Sequence, residues 1–305
     1  MKGYSAKAVL SVGSFPLFLA AGAILALGIV VTARPACAAY PGVNGKIVFG
    51  SDRDRGVNYD DLYVSTPGVP GAVRLTNNSG EVWDVHPAWS PDGRRIVFAR
   101  YDTHDYEIMV MDADGSNVVQ LTDNSVDDYE PAWSPDGRKI AYTTWALHAG
   151  GREDWDMWIM NPDGSGKRLL FDGGGNEMEP DWSPDGSKIA TEKGDEIWVI
   201  NADGTHPVQI TFNTRYDSAP QWHPDGTRLA YTSVVDGFPE ICTVDLASLA
   251  VTQLTFDGHL KWEAVYSPDG QKIAFQRNDG PGEDWEIVYM DADGSNLVKL
   301  TDNTG

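Results

Sequence analysis

The chain has 305 residues, of which 41% are hydrophobic and 22% charged, and its formal net charge is −22. This is an ordinary globular composition, long enough for one large domain or two small ones. The acidic balance excludes a nucleic-acid binder, because gripping phosphates needs a basic surface.

The first 38 residues differ from all that follow. Lys2 and Lys7 give a positive start, an apolar run extends from Ala8 to Ala33, and the segment closes on Ala36-Cys37-Ala38. This pattern predicts a secretory signal peptide over residues 1–38, cut after Ala38, and hence a protein exported to the periplasm, envelope or medium. The apolar run is long for a signal core, so an uncleaved anchor is the alternative and the only membrane attachment the sequence offers. Once the leader is gone, Cys242 is the one cysteine left and no internal disulfide can form. Within the strand-like "EICTV" it reads as a small buried hydrophobe.

From residue 39 onward one pattern recurs. "PAWSPDGRRIVF" starts at Pro87, "PAWSPDGRKIAY" at Pro131, "PDWSPDGSKIAT" at Pro180, "PQWHPDGTRLAY" at Pro220 and "AVYSPDGQKIAF" at Ala264. Their aromatic residues, Trp89, Trp133, Trp182, Trp222 and Tyr266, lie 40 to 49 residues apart. After each copy comes a second element such as "EIMVMDADGSNVVQLT", and a degenerate unit opens the domain with "GKIVFGS" and "DLYVSTPGVPGAVRLT". Each unit reads as four short strands bounded by Gly, Pro, Asn and Asp, with no sustained helical period. The S-P-D-G and D-A-D-G tetrapeptides suit tight hairpins. Pro presets φ, Asp bonds nearby backbone N–H groups, and Gly accepts a left-handed conformation. Units of this length built from strands alone predict propeller blades.

These repeats resemble the WD40-like propeller repeats of the TolB family, which also occur in some prolyl-oligopeptidase-type peptidases. The W-S-P-D-G and D-A-D-G-S-N…L-T motifs carry the resemblance over residues 45–305. The resemblance implies an all-β fold, a six-bladed propeller of four-stranded antiparallel blades over residues 39–305. It does not extend to TolB's N-terminal α/β domain or to the peptidases' hydrolase domain with its G-x-S-x-G elbow. Six fourth-strand endings occur, at Leu75, Leu121, Leu170, Ile210, Leu254 and Leu300, but only five P-x-W inner strands. The missing inner strand is expected from Ala38–Gly45, with a weaker seam between the first and sixth blades.

Hairpin turns occupy one end of such blades. The other end carries the variable loops and the blade-to-blade links, where function sits on a rigid scaffold. That end is acidic and aromatic. Its candidate binding residues are Glu81, Trp83, Asp84, His86, Asp128, Glu130, Glu177, Glu179, Tyr216, Asp217, Trp262 and Glu263, with Tyr129 beside them. Glu130, Glu179 and Glu263 precede equivalent inner strands and are expected to converge at the channel mouth.

Three readings of these acids compete: solvated surface charge, a mouth for a basic peptide or protein partner with aromatic anchors, and a Ca²⁺ site. The reading adopted is an exported, monomeric, non-catalytic binding or scaffold module, with no catalytic residue, no resident metal and no cofactor other than the Ca²⁺ alternative. A glycan stacked on Trp83, Trp145, Trp155, Trp262 or Trp285 is a further possibility. The alternative function is a metal-dependent lyase, since lyases of acidic sugars use a similar propeller with channel histidines. His86, His223 and His259 would be its ligands, and His104, His148 and His206 read as surface histidines. Asp136, within S-P-D-G, reads as a turn brace. Its replacement by Ala should cost about 1 kcal/mol in urea unfolding, the worth of one hydrogen bond, and leave partner binding unchanged.

Overall fold

The computed structural model describes residues 11–14, 44–51, 54, 60–66, 69, 71–280 and 285–301. They form six four-stranded antiparallel sheets, each with its strands in consecutive order. The third blade, for example, runs Asp128–Trp133, Ile140–Leu147, Glu153–Met160 and Arg168–Phe171. Between its first two strands, Gly137 N donates to Ser134 O and Gly137 sits at φ 68°. Ser134 Oγ donates to Asp136 Oδ1 at 2.8 Å, and Arg138 N donates to the same oxygen at 3.0 Å. Asp92, Asp185 and Asp269 make the equivalent bonds in their own turns. The aspartates of S-P-D-G therefore shape hairpins, as their sequence context implied.

A flat blade buries little by itself, so each is held by its neighbours. Trp133 of the third blade packs among Val97, Ile108 and Leu121 of the second, and Trp182 of the fourth among Met157, Ile159 and Leu170 of the third. Trp222 and Tyr266 repeat this against the fourth and fifth blades. These rings are 2–4% exposed, and an aromatic ring of this size dominates the energetics of such a core.

The D-G turn between third and fourth strands makes a second inter-blade contact. Gly204, at φ 89°, lies so close to the preceding blade that a Cβ would stand 2.0 Å from Leu170 O. Gly115, Gly164 and Gly294 face Leu75, Leu121 and Leu254 in the same way. Only glycine satisfies both the left-handed backbone and the close approach. After Leu75, Leu121 and Leu254 a threonine caps its own blade, Thr76 Oγ1 accepting from Leu62 N, Thr122 Oγ1 from Ile108 N and Thr255 Oγ1 from Ile241 N, whereas Leu170 is followed by Phe171. The paired recurrence of D-x-D-G and L-T in the sequence thus follows from one contact made between consecutive blades.

The first blade departs from expectation. Its second strand is Asn44–Ser51, and the inner position beside it is taken by Ser11–Ser14, paired antiparallel with Ser11 opposite Val48 and Val12 opposite Ile47. Asn44 and Gly45, expected in the inner strand, belong to the second; residues 38–43 lie outside the described residues, as does most of the 1–38 leader. An unpaired inner edge attracts whatever strand can reach it, and here that strand comes from within the apolar N-terminal stretch. No helix among the described residues is long and apolar enough to cross a membrane.

The ring closes where Ile47, Phe49 and Tyr63 of the first blade meet Val265, Ala274 and Ile287 of the sixth. Among the described residues this buried cluster has six members and no tryptophan, against eight to ten members in the other five, four of which hold one. With fewer described residues packed there, local opening should concentrate at this seam. In hydrogen exchange, the amides of Phe49, Tyr63 and Ile287 should exchange faster than those of Ile108, Met157 and Val199. Equal protection at both places would mean that the closing cluster holds as well as the others.

Candidate functional site

Each inner strand from the second blade to the sixth carries, at its start or one residue in, three residues in equivalent positions. They are Asp84-Val85-His86, Asp128-Tyr129-Glu130, Glu177-Met178-Glu179, Asp217-Ser218-Ala219 and Lys261-Trp262-Glu263. The strand register slips at this point in all five blades, and the third residue has φ between 50° and 57°. Positive φ is uncommon for residues other than glycine, and a bulge of this kind leaves a backbone N–H outside the ladder.

The first position of each triplet is buried and internally bonded. Asp84 takes a two-pronged bond from Arg100, at 2.6 and 3.0 Å, and one from Asn78. Asp128 accepts from Thr144 and Asn124, and Asp217 from Ser233 and Asn213. Glu177 pairs with Lys193 at 3.1 Å and accepts from Gly173 N. In the sixth blade the charge reverses: Lys261, fully buried, pairs with Glu240 at 3.0 Å and with Asp257. Asp84, Asp128, Glu177 and Asp217, read from sequence as open acids of the loop face, are therefore braces between the first two strands and the blade link. Acids at 0–1% exposure persist in a core only with such partners.

The third position serves the next blade. Glu130 Oε2 accepts from the bulged Glu179 N at 2.7 Å, and Glu179 Oε2 accepts from the bulged Ala219 N. Each carboxylate satisfies the N–H that the neighbouring bulge frees, so the ring is stitched at its inner edge. Ala219 has no carboxylate to continue the series, and Glu263 instead accepts from Gln276 in its own blade. Glu130 and Glu263 are each 8% exposed. Burial, the neighbouring Tyr106 and the charges of Glu130 and Glu263 together hold the Tyr129 phenol well above its usual range. The third and sixth blades stand opposite one another in a ring of six, so Tyr129 feels carboxylates from both sides of the channel.

Around Tyr129 a continuous aromatic surface crosses the second and third blades. Trp83 stacks on Tyr101 at 4.1 Å and donates its indole N–H to Tyr106 Oη at 2.8 Å. Tyr106 meets Tyr129 edge-on at 4.6 Å, His86 meets it at 4.2 Å, and Trp155 follows at 6.0 Å with Trp145 beyond. Apart from His86, these rings are only partly buried. Across the mouth, Tyr216 meets Trp262 edge-on at 6.3 Å and donates to Glu192 at 3.0 Å. Glu81 stands exposed on a blade link. Trp83, His86, Tyr129 and Glu130 are thus brought together, as are Tyr216 and Trp262. Tyr101 and Tyr106 were not selected from sequence, although their place at the ends of consecutive strands joined by a short loop could have flagged them.

The histidines separate. His223 sits in a hairpin turn beside Tyr266 and Gly270, at the opposite end from His86. His104 and His206 are exposed, as expected. His148, expected at the surface, has only 20% of its side chain accessible and lies among aspartates. Cys242 is buried, and that burial pushes its thiol up to about 12.

A family model described as the TolB beta propeller domain matches residues 61–192 and 99–305. No curated protein sequence matches the chain. Among solved structures, TolB from Acinetobacter baumannii is 18% identical with a TM-score of 0.68. That likeness covers 82% of this chain, which spans 62% of the Acinetobacter protein. An oligogalacturonate lyase in complex with manganese is 17% identical over 84% of this chain and 73% of its own, with a TM-score of 0.58. A putative TolB from Agrobacterium tumefaciens is 20% identical over 87% of this chain and 80% of its own, with a TM-score of 0.55. At these identities the likeness is one of fold.

Burial raises Asp128 from the usual 3.8 to about 6, against the opposing bonds from Thr144, Thr122 and Asn124. A carboxyl that holds its proton more tightly when folded contributes stability below its unfolded pKa and loses it as pH rises through the folded value. The Asp128 carboxyl carbon should therefore titrate in NMR near pH 6, and its contribution to stability should decline between about pH 4 and 6. A midpoint near 4 would mean the site is better solvated than the structure places it.

Proposed function

Since the chain belongs to the TolB beta propeller domain family, we propose that it is an exported, non-catalytic and monomeric propeller that captures a protein or peptide at the channel end carrying the blade links. The observation that carries this reading is the aromatic surface from Tyr101 through Trp83, Tyr106 and Tyr129 to Trp155, beside the Glu130 and Glu263 carboxylates. Rigid, half-buried rings are the usual anchors of protein interfaces, because they offer large contact area at small entropic cost. The surrounding acids favour a partner segment bearing Lys or Arg, drawn in by the strongly negative net charge. Aromatic rings of this kind would also stack a sugar, so the glycan reading shares the same surface.

The lyase reading is less well supported. It needs histidines gathered at the channel, whereas His223 lies at the hairpin end, and His86 packs its ring edge-on to Tyr129. The likeness to the manganese-bound lyase is one of fold. The Ca²⁺ reading would use the channel carboxylates, but one oxygen each of Glu130 and Glu179 is already committed to a backbone amide.

Glutamine at positions 130, 179 and 263 keeps an oxygen for those amides and removes the charge. The variant Glu130→Gln/Glu179→Gln/Glu263→Gln should therefore fold as the wild type and lose capture of its partner from envelope extract by at least about tenfold, about 1.4 kcal/mol. Trp155→Ala should lose capture too. Undiminished capture by both variants would remove the channel end as the binding face.

A further inference from the structure

Away from the channel mouth, the third blade gathers four side chains from three of its segments. His148 follows the second strand, Asp154 and Asp156 lie on one face of the third, and Asp172 follows the fourth. One ligand atom each of His148, Asp156 and Asp172 lies within 4.8 Å of the others. His148 Nε2 stands 2.7 Å from Asp154 Oδ1 and 3.2 Å from Asp156 Oδ2, and Nδ1 stands 3.7 Å from Asp172 Oδ2. Arg152 closes the outer side, 3.0 Å from Asp154 and 2.7 Å from Asp172.

The internal chemistry of this cluster is incomplete. Asp154 and Asp156 are 4% and 2% exposed, yet Asp156 Oδ1 has no hydrogen-bond partner, and the contacts of the Asp154 oxygens with His148 Nε2 and Arg152 are close ion pairs without hydrogen-bond alignment. One imidazole nitrogen cannot serve two buried carboxylates at once, and Arg152 reaches only Asp154 and Asp172. Unsatisfied buried carboxylates are costly, and the buried braces Asp84, Asp128, Glu177 and Asp217 are each supplied with donors. Burial pushes Asp156 up to about 6, with His148 lowering it and Asp172 and Asp154 raising it further.

We propose that His148, Asp156 and Asp172, with Asp154 beside them, bind a divalent first-row transition ion of the zinc or manganese class. Bonds of about 2.0–2.2 Å to nitrogen and oxygen span up to about 4.4 Å from ligand to ligand, close to the spread seen here. An imidazole in the set favours such an ion over Ca²⁺ or Mg²⁺, which take oxygen ligands. Two positive charges would offset the excess of carboxylates, with Arg152 balancing the rest from outside. The ion would tie the 148–152 loop to the end of the fourth strand, below the Trp155 ring that strand alternation turns to the opposite face. The site uses none of the side chains assigned above to partner capture, although Trp155 lies between two of its acids.

The full chain, stripped with chelator and titrated with zinc chloride and in parallel with manganese chloride, should take up one equivalent of transition metal. Binding should raise Tm and change tryptophan fluorescence. Affinity should weaken as pH falls through about 6, because the ligands must lose their protons to bind metal. His148→Ala and Asp156→Asn should each weaken uptake by about 100-fold, the upper end of what loss of even an outer-shell partner costs. Asp156→Asn removes a buried charge at constant shape, so its metal-free Tm should match or exceed wild type, which separates lost binding from lost folding. No stoichiometric uptake, equal uptake by both variants, or a preference for calcium chloride over both metals would overturn the proposal.

Discussion

A four-stranded blade has two faces and can cover neither by itself, so the whole molecule depends on a large ring from each inner strand entering the face of the blade before it. Trp133, Trp182, Trp222 and Tyr266 do this in succession, each with the aliphatic residues of two consecutive blades around it. The D-G glycines add a second, purely steric fit against the leucine carbonyls of the preceding blade. Stability of such a ring is set by its weakest interface. The closing interface has the smallest cluster among the described residues, with Phe49 and Tyr63 where four of the other five carry a tryptophan.

The inner edge adds a polar counterpart to this apolar packing. A bulge in each inner strand frees a backbone N–H, and a carboxylate from the blade before accepts it where the sequence provides one, at Glu130 and Glu179. The same carboxylates bring negative charge towards the channel, so a structural device shapes the electrostatics of the mouth. Binding and architecture share atoms at this point, which is why charge removal with shape retained is the informative substitution.

The acids of this chain fall into physically distinct groups. Turn aspartates are exposed and hold backbone amides, and serine and threonine bonds lower the pKa of several of them, as at Asp114, Asp163 and Asp203. The first acids of the inner strands are buried and fully paired. Asp154 and Asp156 beside His148 are buried without well-aligned hydrogen-bond donors, while the exposed Asp172 accepts from Arg152 and Gly174 N. That buried pair stands out against the other two groups, and it is the ground for the cation proposed there.

Much was legible in the residues alone. Trp at a 40–49 residue interval, S-P-D-G and D-x-D-G turns, and L-T endings determine six antiparallel blades, because each motif acts within a few residues of itself or at the same place in every repeat. Asp136 could be read as a brace for the same reason. Tertiary structure alone decided the roles that depend on distant partners. Glu130 and Glu179 are separated by 49 residues, and which amide their carboxylates would meet follows from how one blade is rotated against the next. The burial of Asp84 and Asp217, the inner strand at Ser11–Ser14 and the gathering of His148 with three aspartates likewise arise from the packing of whole strands. Local chemistry specifies a turn or a strand, but pairing, burial and convergence are properties of the closed ring.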